Sequence, residues 1–182
     1  MTGPKGVLDG DKPSIPEVAI DVLTNLSNQL VALHLRVRWY EMRMQLQAKQ
    51  DPRMMLLRTI PGVGPVTASA IVATAGDASQ FKNGREFAAW FGLTPLNRSS
   101  GGKEKLGRIT KMGDRYIRRL LVIGMTSRLR QMKTHPERAD PWAQALLERK
   151  PVRLATVAMA NKTARIIWAV LTKNEYYRPY TA

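Results

Sequence analysis

The sequence predicts an all-α protein in which a long, coiled-coil-like N-terminal helix precedes a compact helical domain with a helix-hairpin-helix-like motif. Apolar residues recur at helical spacing, and no segment shows the alternation of apolar and polar residues that is typical of a strand. Proline and glycine stand at the boundaries of the periodic segments. The chain divides into a lead-in (1–15), a coiled-coil helix (16–50), a helical domain (51–175) and a tail (176–182).

The charge of the chain favours a polyanionic partner. Lys and Arg number 29 against 14 Asp and Glu, which gives a formal net charge of +15, and only eight of the basic residues precede Lys82. The binding surface is therefore expected in the second half. Nucleic acid is preferred over a membrane because no apolar run approaches the roughly 18 residues of a spanning helix and no signal peptide is evident.

Metal and thiol chemistry find little support in the composition. The chain has no Cys, and its two His residues, His34 and His135, lie about a hundred residues apart. His34 is interpreted as an ordinary helix position, and His135, which precedes Pro136, as a helix terminus. We therefore predict no metal-binding residue in this chain.

Heptads of apolar residues run from about residue 15 to residue 49 and predict one long helix built to pair. An apolar stripe this narrow cannot be buried within a single helix. It is therefore expected to pack against another helix of this chain or against a second copy of the chain. We expect a homo-oligomer through residues 20–47. The two heptad positions hold Leu23, Leu30, Val37 and Met44, and Leu26, Leu33 and Tyr40.

A proline- and glycine-rich segment, Ile60-Pro-Gly-Val-Gly-Pro65, follows the break at Asp51-Pro52 and predicts a tight hairpin before an Ala-rich helix that stops at Gly76. It resembles a helix-hairpin-helix, in which backbone N–H groups at a helix N-terminus approach a phosphate. Gly62 and Gly64 would allow that approach. In the alternative interpretation the glycines only permit the sharp bend of a plain αα-turn.

Four further helices are predicted: Arg85 to Phe91, one that starts at Asp114, one from Asp140-Pro141 to Glu148, and one from Pro151 to Leu171. Their expected core residues are Phe87, Trp90 and Phe91; then Ile117, Leu120, Leu121, Gly124 and Met125; then Leu154, Val157, Ala158, Ile166 and Trp168. Between Leu93 and Gly113 no periodicity is visible, and an aperiodic loop of this length is typical of a functional segment.

Eight cations against two carboxylates concentrate between residues 98 and 119 and give a local charge of about +6. A glycine-rich loop of this charge that runs into a helix suits a phosphate backbone, and each neutralised phosphate steepens the salt dependence of binding. The alternative is a solvated face. The cations are Arg98, Lys103, Lys105, Arg108, Lys111, Arg115, Arg118 and Arg119.

Within this loop, Ser99-Ser100-Gly101-Gly102 places hydroxyls beside residues of minimal bulk. A serine here could attack a phosphodiester, because Arg and Lys would stabilise the developing charge. Serine and glycine are also ordinary loop residues, and no His or carboxylate is evidently placed to activate the hydroxyl.

Three stretches in this order and spacing resemble the C-terminal domain of the Piv-like insertion-sequence transposases, also called bridge recombinases. The resemblance covers roughly residues 54–130. The stretches are Leu57-Arg-Thr-Ile-Pro-Gly-Val-Gly-Pro-Val-Thr-Ala68, Trp90-Phe-Gly-Leu-Thr-Pro95, and Ser99-Ser-Gly-Gly-Lys-Glu-Lys-Leu-Gly-Arg-Ile-Thr-Lys-Met-Gly-Asp-Arg-Tyr-Ile-Arg-Arg-Leu120.

The resemblance implies a recombinase in which Asp and Glu residues of a RuvC-like domain bind Mg²⁺ while a serine of the C-terminal domain becomes covalently linked to DNA. By motif position that serine is Ser100. The resemblance also implies a coiled coil between the two domains, a guide RNA in some members, and a place in the bacterial cytoplasm at the nucleoid.

The sequence departs from the family pattern because it lacks the acidic domain. Asp9, Asp11, Asp21 and Glu41 lie in the lead-in and on the heptad helix and cannot replace a preorganised carboxylate cluster. We therefore expect DNA transposition or site-specific recombination in which Ser100 acts with an acidic domain supplied separately. The alternative is a noncatalytic DNA-binding remnant or module of a transposase, and independent strand transfer is not expected.

Overall fold

A computed structural model describes residues 16–97 and 106–179, and the chain divides into two units, residues 1–45 and 46–182. Helices dominate the described residues, which also include one small two-stranded sheet. The predicted all-α class is therefore confirmed.

The first unit is the greater part of helix α1, which runs Glu17–Gln50. The predicted long helix is thus confirmed. The side chains at its heptad positions from Leu23 to Tyr40 are exposed in the single chain, with Leu23, Leu30 and Leu33 at 48%, 59% and 56%. Their burial in an oligomer stays a prediction.

The second unit begins with two helices around the proline- and glycine-rich hairpin: α2, Pro52–Arg58, and α3, Pro65–Ala75. Asp51 caps α2 by accepting a hydrogen bond of 2.9 Å from the backbone N–H of Arg53. The side-chain hydrogen bond from the same arginine also lowers the pKa of Asp51. The two helices flank the turn as expected, whereas DNA contact by the motif stays a prediction.

Helix α4, Gly84–Trp90, follows a 3-10 turn at Ala78–Gln80 and buries an aromatic cluster. Asn83 caps it by accepting from the N–H groups of Arg85 and Glu86. Phe87 and Phe91 are fully buried, with ring centroids 4.8 Å apart, and Trp90 is half-buried. The helix and its two phenylalanines confirm the sequence prediction.

Two long helices, α5 (Arg115–Thr134) and α7 (Val152–Lys173), pack against each other in the second unit. Asp114 caps α5 by accepting a 2.8 Å hydrogen bond from Ile117. A 3-10 turn, Pro136–Arg138, and helix α6, Pro141–Arg149, connect the two long helices. Ile117, Leu121 and Met125 are fully buried as expected.

The predicted apolar side of α7 is correct only in part, because Val157, Ile166 and Trp168 are partly buried against the core whereas other residues of the helix are fully buried. Its buried residues are mostly small ones, which let α7 approach the other helices closely. Leu154, expected in the core, is 52% exposed. The residues that α7 buries are Ala155, Thr156, Met159, Ala160, Thr163, Ala164, Ile167 and Val170.

The length and hydropathy of α7 bear on the expectation that the chain contains no run of roughly 18 apolar residues. Among the described helices it alone passes a test of length and composition for such a span, with 22 residues and an 18-residue window of mean hydropathy 1.2. Because Ala160, Ala164 and Ile167 are fully buried within the second unit, α7 is a core helix of this fold.

The segment between α4 and α5 contains two strands that the sequence did not predict. Strand β1, Pro95–Asn97, pairs antiparallel with β2, Leu106–Ile109. Pro95 pairs with Ile109 and Asn97 with Leu106, and the register shifts between these pairs. Strands of three and four residues are too short to show a period of two, so periodicity could not find them.

Candidate nucleic-acid interface

Backbone hydrogen bonds hold the two ends of the β1–β2 hairpin against the end of α4. Beyond the strands, Thr110 N–H donates to Thr94 over 2.9 Å and Lys111 N–H to Gly92 over 3.1 Å. Asp114 N–H then donates to Trp90 over 3.3 Å. Residues 98–105 connect the two paired strands. The segment that contains the predicted nucleophile is therefore flanked on both sides by strands that pair with each other.

Several predicted site residues lie outside the described residues. These are the candidate nucleophile Ser100, its neighbour Ser99, and the cations Arg98, Lys103 and Lys105. Their assigned roles stay predictions.

The described cations of this region divide into two kinds. Arg108, Lys111, Arg115 and Arg119 are exposed, and no ion pair joins them to a carboxylate within residues 16–97 and 106–179. Solvent-facing cations without such a partner are available to phosphates.

Arg118 differs from its neighbours on α5. It is half-buried, and its Nη1 donates a 2.8 Å hydrogen bond to the carbonyl oxygen of Phe91. This bond ties α5 to the end of α4 and favours a structural role over the predicted phosphate contact.

The two glycines of the hairpin between α2 and α3 also have different surroundings. Gly62 has φ +87°, and a Cβ there would overlap Met125 Cε and lie 3.1 Å from the carbonyl oxygen of Gly124. Gly62 therefore serves the turn and its packing against α5. Gly64 is exposed, precedes α3 as its N-cap without a side-chain cap, and has open space where a Cβ would lie. Of the two, Gly64 is the position accessible to a ligand.

The substitution Gly64→Ala separates the two interpretations of this hairpin. Its φ of −85° suits any L residue and the site is open, so the unfolding free energy should change by less than about 1 kcal/mol. If N–H groups at the start of α3 contact a phosphate at close range, duplex binding weakens about 10-fold. Fluorescence anisotropy at fixed salt measures the affinity and thermal unfolding the stability. Unchanged affinity would leave the plain αα-turn as the correct interpretation.

A groove that the sequence analysis missed lies between the hairpin, α6 and α7. Its cavity volume is about 910 Å³. The residues of α7 along one side are spaced four apart, so they share a helix face. This spacing is visible in the sequence, but the sequence analysis predicts Val157 as a core residue and gives the other residues of this face no role. That row comprises Arg153, Val157, Asn161, Arg165 and Ala169.

Among the described residues, no group of three His, Asp or Glu side chains lies close enough together to hold a metal ion. His135 ends α5, as the sequence predicted, and its Nδ1 lies 3.3 Å from an oxygen of Glu137.

Comparison with known proteins gives a consistent set of relatives. A family model described as "Transposase IS116/IS110/IS902 family" matches residues 54–143. Over 95% of its length the chain is 40% identical to a "Probable family 20 transposase" of Pseudomonas aeruginosa, of which it covers 51%.

Two further relatives carry insertion-sequence names. The chain is 40% identical to the "Transposase for insertion sequence element IS1111A" of Coxiella burnetii, over 86% of the chain and 43% of the relative. It is 31% identical to the "Transposase for insertion sequence element IS1328" of Yersinia enterocolitica, over 92% of the chain and 50% of the relative. The chain thus spans about half the length of the curated relatives it matches.

Proposed function

Since this chain belongs to the transposase IS116/IS110/IS902 family, we propose that it is the DNA-engaging part of an insertion-sequence transposase. Within that family we assign it to the Piv-like, bridge-recombinase type and to the C-terminal part of such a protein. Its partner is DNA, and its place is the bacterial cytoplasm at the nucleoid. A guide RNA, which some members of that type use, is a further partner to be tested.

The observation that carries this proposal is the base of the hairpin between α4 and α5. Backbone hydrogen bonds hold both ends of the segment that contains Ser100, and exposed cations follow it on β2, at Lys111 and on α5. A nucleophile needs a fixed approach to phosphorus, and cations stabilise the charge that develops there. The cations can meet the second requirement, and the pairing of β1 with β2 supports the first because it holds the two ends of the segment.

The proposed step is a transesterification at a DNA phosphodiester. Ser100 Oγ forms a bond to phosphorus while the bond from phosphorus to the leaving deoxyribose oxygen breaks. The hydroxyl proton passes to solvent, and the leaving oxygen takes up a proton. The product is a serine–DNA phosphodiester, so no oxidant or reductant is needed. Arg108, Lys111 and Arg115 would hold the flanking phosphates.

The described residues offer no carboxylate cluster that fits Mg²⁺. We therefore assign the metal to an acidic domain supplied separately and derive no step through it. When bound there, Mg²⁺ would neutralise charge at the reacting phosphate.

A covalent-adduct assay tests the proposal. Labelled DNA from the element's ends is incubated with this chain and Mg²⁺, with and without an added acidic domain. We expect a slowly migrating, protease-sensitive species that depends on the acidic domain. Binding without any adduct, even with that domain present, would instead identify a noncatalytic DNA-binding module. Absence of any DNA binding would overturn the proposal.

We further propose that residues 20–47 of α1 form a coiled coil with a second copy of the chain. The stripe that contains Leu30 is exposed in the single chain and repeats at heptad spacing. Leu30→Glu should convert the dimer to a monomer in sedimentation experiments, because it places a charge in the paired seam. Asn28→Glu, on the opposite face, is the matched control and should remain dimeric. A wild-type protein that sediments as a monomer would contradict the proposal.

A further inference from the structure

The groove between the hairpin, α6 and α7 combines an apolar wall with cations, and none of the described residues that line it is acidic. Its apolar wall includes Trp142, Leu154, Val157 and Ile166. Leu154 is 52% exposed and Trp142 is 39% exposed. Exposed apolar side chains in one concave surface of this size are typical of a binding site.

Four cations line the same groove: Arg108, Arg153, Lys162 and Arg165. Lys162 Nζ lies 4.0 Å from the centroid of the Trp142 ring and 3.7 Å from an oxygen of Asp140. Arg108, Arg153 and Arg165 are exposed, and within residues 16–97 and 106–179 no ion pair joins them to a carboxylate. The groove therefore presents positive charge around an apolar wall.

The position of the groove connects it to the candidate reactive segment. Gly107, Arg108 and Ile109 of β2 line it, and this strand directly follows residues 98–105. Asn161 of α7 donates a 3.1 Å hydrogen bond to the carbonyl oxygen of Leu93, just before the hairpin. The groove and the hairpin base are thus held together.

We propose that this groove binds an unstacked nucleobase of the substrate DNA, with the flanking phosphates on Arg153, Arg165 and Arg108. A nucleotide pairs a flat ring that stacks on aromatic and apolar surface with an anion that needs cations, and the groove offers both. An apolar protein segment would satisfy the wall but leave these cations without partners. The inference rests on the proposed function, because it requires DNA at the hairpin.

Binding to single-stranded oligonucleotides of equal length and charge tests the proposal. One oligonucleotide carries all its bases, and in the other the central residues are abasic. Wild-type protein should bind the first about 10-fold more tightly, because stacking adds to the phosphate contacts. Trp142→Ala removes the stacking ring and Ala158→Leu fills the groove, so each should bring the ratio of affinities to about one.

Trp39→Ala is the matched control, because Trp39 is 50% exposed, has Arg43 over its ring at 5.6 Å, and lies on α1. This variant should keep the wild-type ratio of affinities, and all variants should bind the abasic oligonucleotide as wild type does. Thermal unfolding of each variant confirms that it is folded.

Three results would overturn the proposal, and each differs from failure of the proposed function, in which no oligonucleotide binds. Equal wild-type affinities for the two oligonucleotides would show that no base is recognised. Larger base-dependent selection with RNA of the same sequence than with DNA would assign the groove to RNA. Loss of binding to the acidic domain in Ala158→Leu, with base selection intact, would make it a protein-docking site.

Discussion

Replacement of Ser100 by alanine should abolish the covalent DNA adduct while leaving DNA affinity within about twofold of wild type. The alanine lacks the Oγ that forms the bond to phosphorus, so no other change in the protein is needed for the loss. Removing the nucleophile of a covalent enzyme typically lowers its rate by a factor of about 10⁴ to 10⁶. The measurement is the amount of protease-sensitive adduct after incubation with labelled element-end DNA, Mg²⁺ and the acidic domain.

Ser99→Ala is the control that gives this experiment its specificity. The two serines are adjacent in the chain, within the segment that connects β1 and β2, so each variant removes one hydroxyl from the same segment. We expect Ser99→Ala to form the adduct at a rate within about 10-fold of wild type. An adduct that persists in Ser100→Ala and vanishes in Ser99→Ala would transfer the nucleophile to Ser99. Persistence in both variants would end the serine hypothesis.

Helix boundaries were the part of the fold that the sequence predicted best. They depend on local chemistry: Asn83, Asp114 and Asp140 each accept hydrogen bonds from the first turn of the helix that follows. A side chain that satisfies N–H groups two or three residues away needs no tertiary context. For that reason the starts of α4, α5 and α6 could be predicted from the local sequence without knowledge of the tertiary structure.

Tertiary packing decided the features that the sequence could not predict. The apolar surface of α7 is wider than one stripe, so periodicity could not distinguish the buried side around Ala160 from the groove side around Val157. In the same way, Gly62 and Gly64 look equivalent in the sequence. Only the approach of Gly124 and Met125 on α5 shows that Gly62 is a packing position.

The contacts of the candidate site residues were likewise not predictable from the sequence. Charge density and the resemblance to known transposases predict a site within residues 98–119, and in the structure the strands on either side of residues 98–105 pair with each other. Nothing in the sequence distinguishes Arg118, which bonds to Phe91, from exposed Arg119 beside it. The carbonyl that selects Arg118 lies 27 residues away in the chain.

Gly113 occupies a conformationally restricted position at the base of the β1–β2 hairpin. This residue has φ +106°, a conformation that L side chains rarely adopt, and a Cβ there would overlap the carbonyl oxygen of Trp90. That oxygen accepts the 3.3 Å hydrogen bond from Asp114, the cap of α5. An alanine would have to displace backbone rather than a flexible side chain. The substitution would therefore both strain the backbone at Gly113 and weaken the hydrogen bond from Asp114 to Trp90.

Gly113→Ala should lower the free energy of unfolding by about 3 kcal/mol, because backbone strain and overpacking each contribute about 1–3 kcal/mol. The melting temperature should fall by about 10 °C, and adduct formation should fall as the hairpin base loosens. Gly64→Ala adds the same methyl group at an open site with φ −85° and should melt near the wild-type temperature. If the melting temperature of Gly113→Ala equals that of the wild type, the close contact between Gly113 and Trp90 does not stabilise the hairpin base against α4.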